Sequence, residues 1–382
     1  MSAGVYLHIP FCKSRCSYCD FATDVYKSSE TVERYVNALI KEISSFEFGK
    51  NPPAHAGGSD LLIDTIYFGG GTPSLLIAKQ VEKILNAVKT RFNLQPGAEI
   101  TMEMNPATVT PESLAAYRSL GINRASFGVQ TFDDTELKRL ARGHDANDAR
   151  ETFRLLREAG FKNVSFDLIA GLPRQTLAEW ENNLDEALKM QPEHLSLYLL
   201  EIHEGTPLAE QIRSKRQPVP DDELAAEMFE LMLDRVTAVG YQQYEISNFS
   251  RPGFESRHNS KYWRLEPVYA FGVSAHSFDG RQRYANERDT AGYVKLIEEK
   301  MTAETMRENI DAASEYIFLG LRMTNGIGLA DYQKRFGTLL IQNYGRELES
   351  LSESGLVELS EDNLRLTRKG MLFSNDVFSV FV

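Results

Sequence analysis

The chain has 382 residues, of which 42% are hydrophobic and 25% charged, and a net charge of −12. It is long enough to bury a large core without disulfide help, and its acidic balance argues against nucleic acid as a partner, because broad binding to phosphate backbones relies on Lys and Arg. No apolar run approaches the roughly 18 residues of a membrane span, and no basic-then-apolar leader opens the chain; the expected setting is cytoplasmic, with peripheral membrane association and homodimerisation left open.

The first 240 residues alternate apolar, β-branched runs with segments of helical period. The runs are Val5–Ile9, Leu61–Phe68, Glu99–Met104, Arg124–Val129, Asn163–Ile169 and His194–Ile202. After the first, Val32, Tyr35, Val36, Leu39, Ile40 and Ile43 recur at three- and four-residue steps and make one apolar helix face, with Ser28 and Ser29 available as caps. Asn51–Asp60 is a polar, Pro/Gly-rich loop. Thr110-Pro111-Glu112 opens a later helix with Thr as cap and Pro in the first turn, and Thr176 and Glu179 have capping-box spacing. Gln217–Pro220 is a break, after which Asp221 or Asp222 starts a helix carrying Leu224, Met228, Leu231 and Met232.

Six strand–helix repeats predict right-handed crossovers and a parallel sheet, either open and doubly wound or a partial (β/α) barrel. No G-x-G-x-x-G turn follows the first strand, which weakens a dinucleotide-binding reading. Polar residues collect where strands end: the cysteines after the first, Gly69-Gly70-Gly71-Thr72 after the second, Glu103 and Asn105 at the third. Gln130 follows the fourth, Asp167 lies in the fifth, and Tyr198 and Glu201 are expected on the sixth. Barrel enzymes gather their sites at this rim, so the expected class is α/β, with a partial (β/α)6 barrel over residues 1–240. Residues 241–304 read as a connecting region. Residues 305–382 predict a small winged-helix-like α+β domain, with helices near 314–323, 329–336 and 340–354 and a hairpin pairing Val357–Ser360 with Leu364–Thr367. Its 8 Lys or Arg against 11 Asp or Glu suit docking or lid duty rather than DNA reading.

Only three cysteines occur, Cys12, Cys16 and Cys19, spaced C-x3-C-x2-C in a polar loop. Clustered thiols suit a reducing compartment and metal chemistry. Structural zinc wants four closed ligands, often two short-spaced pairs, and no second pair exists; His8 falls in a predicted strand as a wall residue. A [4Fe–4S] cluster is usually held by four cysteines. Three leave one iron open to a chelating small molecule.

With the aromatic Tyr18, this spacing resembles the signature of the radical S-adenosylmethionine (SAM) superfamily, and Tyr67-Phe68-Gly69-Gly70-Gly71-Thr72-Pro73 strengthens the likeness. His8-Ile9-Pro10-Phe11-Cys12, GGGTPS from Gly69, EMNP at 103–106, SFGVQ at 126–130, RGH at 142–144 and DLIAGLP at 167–173 resemble the oxygen-independent coproporphyrinogen III oxidase-like group. The resemblance runs from Tyr6 to about residue 280. It implies a radical SAM barrel in which Cys12, Cys16 and Cys19 bind a [4Fe–4S] cluster and Tyr6, Gly70, Gly71, Thr72, Glu103, Gln130, Arg142 and Asp167 contact SAM. Arg142 suits a carboxylate through its fork of donors; Glu103, Gln130 and Asp167 suit an amino group or ribose hydroxyls.

Two branches of that group differ. The decarboxylating dehydrogenases of porphyrin biosynthesis carry a further cysteine two positions after the third, where this chain has Phe21, and an extension ahead of the barrel, whereas Tyr6 here is the sixth residue. Both departures resemble the HemW-type haem-chaperone branch, as does His258-Asn259-Ser260-Lys261-Tyr262-Trp263, which fits an H-N-x-x-Y-W motif associated with haem. The resemblance thus implies haem contact by His258, Tyr262 and Trp263, with His276 as a second histidine candidate. The expected function is a haem chaperone that binds a [4Fe–4S] cluster, SAM and haem and passes haem to an acceptor protein. The alternatives are the coproporphyrinogen dehydrogenase itself and radical chemistry on another tetrapyrrole.

Overall fold

A computed structural model describes residues 2–47 and 61–382; the expected loop Asn51–Asp60 lies outside the described residues. Six strands run parallel: β1 (Ala3–Ile9), β2 (Leu62–Gly70), β3 (Asn93–Met104), β4 (Arg124–Gln130), β5 (Val164–Ala170) and β6 (His194–Leu199). The helices α1 (Ser29–Ser45), α2 (Ala78–Arg91), α3 (Pro111–Ser119), α4 (Ala146–Glu158), α5 (Leu177–Met190) and α6 (Asp222–Ala238) alternate with them. Their starts follow the side chains that satisfy the free N–H groups of a first turn. Ser28 accepts from Thr31 N at 3.2 Å, Thr110 from Ser113 N at 3.2 Å, Thr176 and Glu179 cap reciprocally, and Asp221 holds the first turn of α6. The apolar face read in α1 is buried, with Ile40 half-buried at its margin.

The short strands of residues 242–309 extend this sheet on both sides. β7 (Gln242–Glu245) and β8 (Asn248–Ser250) lie antiparallel beyond β6. β9 (Val268–Phe271) joins β1 in parallel, and β10 (His276–Phe278), β11 (Gln282–Asn286) and β12 (Glu304–Asn309) continue antiparallel from it. The order is β12-β11-β10-β9-β1-β2-β3-β4-β5-β6-β8-β7, an open, mixed arrangement rather than a closed barrel. These strands are three to six residues long, too short for a clear alternation in the sequence. The sixth strand stops at Leu199, so Glu201, expected on it, lies in an exposed loop. Leu200 N still donates to Ala170 O at 2.9 Å, after which the chain turns into a short helix, Pro207–Arg213, capped by Thr206.

Alternation places the site. Along β1, Ala3, Val5, Leu7 and Ile9 are fully buried in the aliphatic core under the helices, while Gly4, Tyr6 and His8 take the other, concave face. The register carries that face across the sheet. Gly4 lies beside Thr65 and Glu99; Tyr6 beside Tyr67, Thr101 and Arg124; Glu103 beside Ser126, Ser165 and His194; Gly128 beside Asp167 and Ser196. The result is a polar lumen.

Beyond residue 309, helices Ala312–Gly320, Leu329–Phe336 and Leu340–Glu353 pack with a hairpin (Val357–Leu359, Asn363–Leu366) around a separate core that includes Ile317, Tyr332, Leu348 and Leu364. Ile327–Gly328 adds a third strand. This unit is tied to the sheet by Ile246 N donating to Arg322 O at 3.0 Å and Thr324 N to Tyr244 O at 3.1 Å. No helix among the described residues is long and apolar enough to cross a membrane.

The Tyr35 hydroxyl of α1 donates to His8 O at 2.7 Å and accepts from Val273 N at 3.1 Å, both out of solvent. Tyr35→Phe keeps the ring and orphans both backbone groups. It is expected to lower stability by about 1–3 kcal/mol, read as a lower denaturant midpoint, with the circular dichroism spectrum unchanged.

Candidate cofactor site

The cysteine loop leaves β1 at Pro10 and is held by backbone bonds. Phe11–Cys12 pairs with Asp24–Val25, Ser17 N donates to Leu140 O at 2.9 Å, and Leu208 N donates to Ser17 O at 2.8 Å. The glycine turn after β2 lies directly against it: Gly71 N donates to Ile9 O and Thr72 N to Phe11 O, each at 2.8 Å. A Cβ at Gly71 would sit 2.7 Å from Pro10 O, and Gly70, at φ +110°, has no room for one beside the His8 ring. Gly70 and Gly71 therefore let strand end and loop touch.

From that contact a chain of hydrogen bonds runs between two sulfurs. The Thr72 hydroxyl donates to Cys12 Sγ at 3.6 Å and accepts from Asn105 Nδ2 at 2.9 Å. Asn105 Oδ1 accepts from Arg142 Nη2 at 2.9 Å, and Arg142 Nη1 donates to Cys16 Sγ at 3.4 Å. Tyr18 OH is 3.5 Å from the same Nη1. Asn105 and Tyr18 are not among the expected binding residues; EMNP and the aromatic between the last two cysteines are their only sequence signals. Burial pushes the Cys12 thiol up to about 11, against the Thr72 hydrogen bond, and also raises Cys19. Among the described residues no group of three His, Cys, Asp or Glu is gathered so as to hold a single metal ion. The loop instead presents three half-buried sulfurs, with hydroxyl and guanidinium donors on two of them, the environment that thiolates on a polynuclear cluster use.

Below the sulfurs lie two buried carboxylates. Glu103 accepts from Tyr67 OH at 2.7 Å and from Gly70 N at 3.1 Å; burial pushes it up to about 7, with the Tyr67 hydroxyl opposing and the Asp167 charge adding. Asp167 accepts from Ser126 at 3.4 Å and is also raised, first by burial, with Ser196 opposing. Among the described residues neither makes an ion pair. Gln130 ends β4 at φ +69° and turns its amide toward Gly128, where a Cβ would strike both that amide and Arg142. Arg142 Nε is buried without a partner. Tyr6 stacks 6.1 Å from Tyr67 and bonds His8 Nδ1 at 3.1 Å. A cationic ligand with its own donors and a carboxylate fits this vestibule: neither acid has an ion-pair partner, although the Arg124 charge acts on both, and the Arg142 guanidinium has a free donor.

The helix α7 (Arg257–Trp263) closes the lumen from beneath. Glu99 accepts from Arg257 N at 3.2 Å and His258 N at 3.1 Å. The His258 ring is 1% exposed. Its Nδ1 bonds Thr65 at 2.8 Å and its Nε2 bonds Tyr262 OH at 3.2 Å, and burial lowers its pKa to about 3. Both nitrogens are thus engaged, and iron ligation by His258 requires the Tyr262 hydroxyl to leave Nε2 or the helix to move. Trp263 points elsewhere, with the Arg322 guanidinium 4.4 Å over its ring. Tyr262, by contrast, lines a cavity of about 340 Å³ at the mouth, together with Tyr6, His8, Asp20, Phe21, Ser274, His276 and Arg288.

Parallel strands, a polar lumen and a three-cysteine loop at its mouth define the class as a radical SAM fold. The model of the Radical SAM superfamily matches residues 6–187 and that of the HemN C-terminal domain residues 308–373. The solved structure of coproporphyrinogen III oxidase (HemN) from Escherichia coli superposes with a TM-score of 0.84 over 100% of this chain and 90% of that one, at 24% identity. Heme chaperone HemW of Bacillus subtilis is 37% identical across 99% of both chains, and Heme chaperone HemW of E. coli is 33% identical across 99% of this chain and 98% of its own. The chain belongs to the HemW heme-chaperone family of radical SAM proteins.

Glu103 sits above its ordinary value when folded, so its contribution to stability is full below about pH 4.5 and is lost as pH rises toward 7. Glu103→Gln is expected to remove that loss, making the ligand-free protein more resistant than wild type at pH 8, by on the order of 1–3 kcal/mol. Glu42, raised to about 7 by burial, retains its own share. Urea midpoints at pH 5 and pH 8 check this; a variant with the wild-type pH slope contradicts it.

Proposed function

We propose that this chain is a haem chaperone: it holds a [4Fe–4S] cluster on Cys12, Cys16 and Cys19, binds SAM in the vestibule above Glu103 and Asp167, takes up haem at the same end and hands it to an acceptor protein in the cytoplasm. The observation that carries this reading is end-to-end likeness to proteins named Heme chaperone HemW. Phe21, in place of a further cysteine, supports it.

When bound, the cluster supplies one-electron chemistry to SAM. The residues define what surrounds it. Thr72 donates to the Cys12 sulfur and Arg142 to that of Cys16, the kind of hydrogen bond that tunes a cluster-bound sulfur. Tyr6, Gly70, Gly71, Gln130, Glu103 and Asp167 surround the vestibule, and its buried carboxylates offset the positive charge of an ammonium or sulfonium group. The α7 floor keeps water from entering below. Of the haem-motif residues, Tyr262 alone lines the mouth cavity. We assign His258 the task of fixing the Tyr262 hydroxyl, and Trp263 that of anchoring the helix against Arg322.

Anaerobic reconstitution followed by haem titration tests the reading. The wild-type protein is expected to bind about four irons and four sulfides per chain, to take up haem with a new Soret band, and to leave coproporphyrinogen III unconverted in the presence of SAM and a reductant. Cys16→Ala is expected to lose the cluster, and Arg142→Ala to weaken SAM at least tenfold, roughly the worth of one charge-assisted hydrogen bond. Turnover to protoporphyrinogen IX would instead assign the oxidase activity. Size-exclusion and liposome flotation of the haem-loaded protein report on homodimer formation and peripheral membrane contact.

A further inference from the structure

Resting on the haem-chaperone reading, we infer that the haem iron is ligated by His276 in the mouth cavity, with Phe21 against the macrocycle and Arg288 on a propionate. A haem site needs an open imidazole nitrogen, flat apolar contact and a cation for the propionates. Two histidines line this cavity, His8 and His276. His8 is spent: Nδ1 bonds Tyr6 OH at 3.1 Å and Nε2 bonds Ala22 O at 2.9 Å. His276 is exposed, and among the described residues its ring makes no hydrogen bond to protein.

The backbone that carries the ring is nevertheless held in place. His276 pairs with Ala285 across β10 and β11, and the next residue, Ser277, accepts from Ala270 N at 2.8 Å. Ser274, also in the lining, sits at φ +54°, a conformation that costs a non-glycine residue energy and gathers at ligand sites. Partial burial and the Arg283 charge lower the His276 pKa, the direction that favours the neutral imidazole.

The remaining walls suit a porphyrin. Phe21 is 68% exposed, a large apolar side chain left in water, and Tyr6 and Tyr262 line the same cavity. Arg288 is 70% exposed and loosely tethered, 3.3 Å from Asp20 O and 3.5 Å from its carboxylate, so an incoming carboxylate displaces little. The fourth-cysteine position of the enzyme branch is thereby occupied by a residue that faces the bound macrocycle.

The experiment is an absorption titration of the reconstituted full-length protein with haem. His276→Ala, at an exposed position, is expected to fold, to bind haem at least tenfold more weakly and to lose the histidine-ligated Soret band; added free imidazole is expected to restore the band. His203→Ala, an exposed histidine outside the cavity, should match wild type. Arg288→Ala should weaken haem but not haem dimethyl ester. A His276→Ala protein with wild-type affinity and spectrum overturns the assignment while leaving the chaperone reading intact. Absence of any haem spectrum in the wild-type protein overturns both.

Discussion

Burying a polar group without a partner costs about 1–3 kcal/mol, and the concave face of this sheet carries many such groups. Most of the fold can be understood as the way they are paired. At depth several of them are paired within the protein, although Thr101 Oγ1 and Arg124 Nε are not: His194 bonds Ser165 at 2.7 Å and Tyr244 at 2.8 Å, His258 bonds Thr65 and Tyr262, and Glu99 takes two N–H groups from the start of α7. Toward the mouth the pairing is also incomplete. Among the described residues Glu103 and Asp167 have hydrogen bonds but no ion pair, and Arg142 keeps one buried N–H unused. The carboxylates without an ion pair and the guanidinium N–H left without a partner at the mouth mark where a charged ligand gains free energy by entering.

The cysteine loop depends on the same arrangement. Its sulfurs are not placed by the loop alone, since Thr72 sits on the turn after β2, Asn105 just beyond β3 and Arg142 after β4. The chain Cys12–Thr72–Asn105–Arg142–Cys16 therefore fixes two thiols relative to three strand ends. Glycines at 70 and 71 make this possible by letting two backbones approach to hydrogen-bonding distance. A side chain at position 71 would move the turn, and with it both the sulfur and the carboxylate that accepts from Gly70.

Much of this architecture is legible in the sequence because it rests on local rules. Caps at Ser28, Thr110, Thr176 and Asp221 set helix starts, and strand-end positions collect the polar residues of the rim. The strands after Tyr241 are hidden because three to six residues give too few alternations, and because β9 inserts beside β1, more than 250 residues away in sequence. The apolar Leu199, Leu200 and Ile202 mimic a longer sixth strand, although alternation already ends near Tyr198. Spacing can name His258, but it cannot show that a neighbouring strand supplies Thr65 to occupy its ring. Burial of a polar residue is decided by what the fold brings against it, and period alone carries no such information.

The seven-residue helix α7 divides its motif among three surroundings: His258 enters the floor, Tyr262 reaches the mouth, and Trp263 meets Arg322 of the C-terminal unit. Arg322 also approaches the fully buried Glu245 at 3.6 Å, and its backbone carbonyl accepts from Ile246 N. A ligand in the mouth that displaces Tyr262 must break the bond to His258 Nε2 or move the helix as a body, and a helix that moves carries Trp263 out of register with Arg322. Since moving the helix gives up that indole–guanidinium contact, worth about 0.5–2 kcal/mol, together with the two N–H bonds of its first turn to Glu99, the first course is the cheaper. The helix then stays as a fixed floor, and the side chains that adjust to an occupant are those at the mouth, Tyr262 among them.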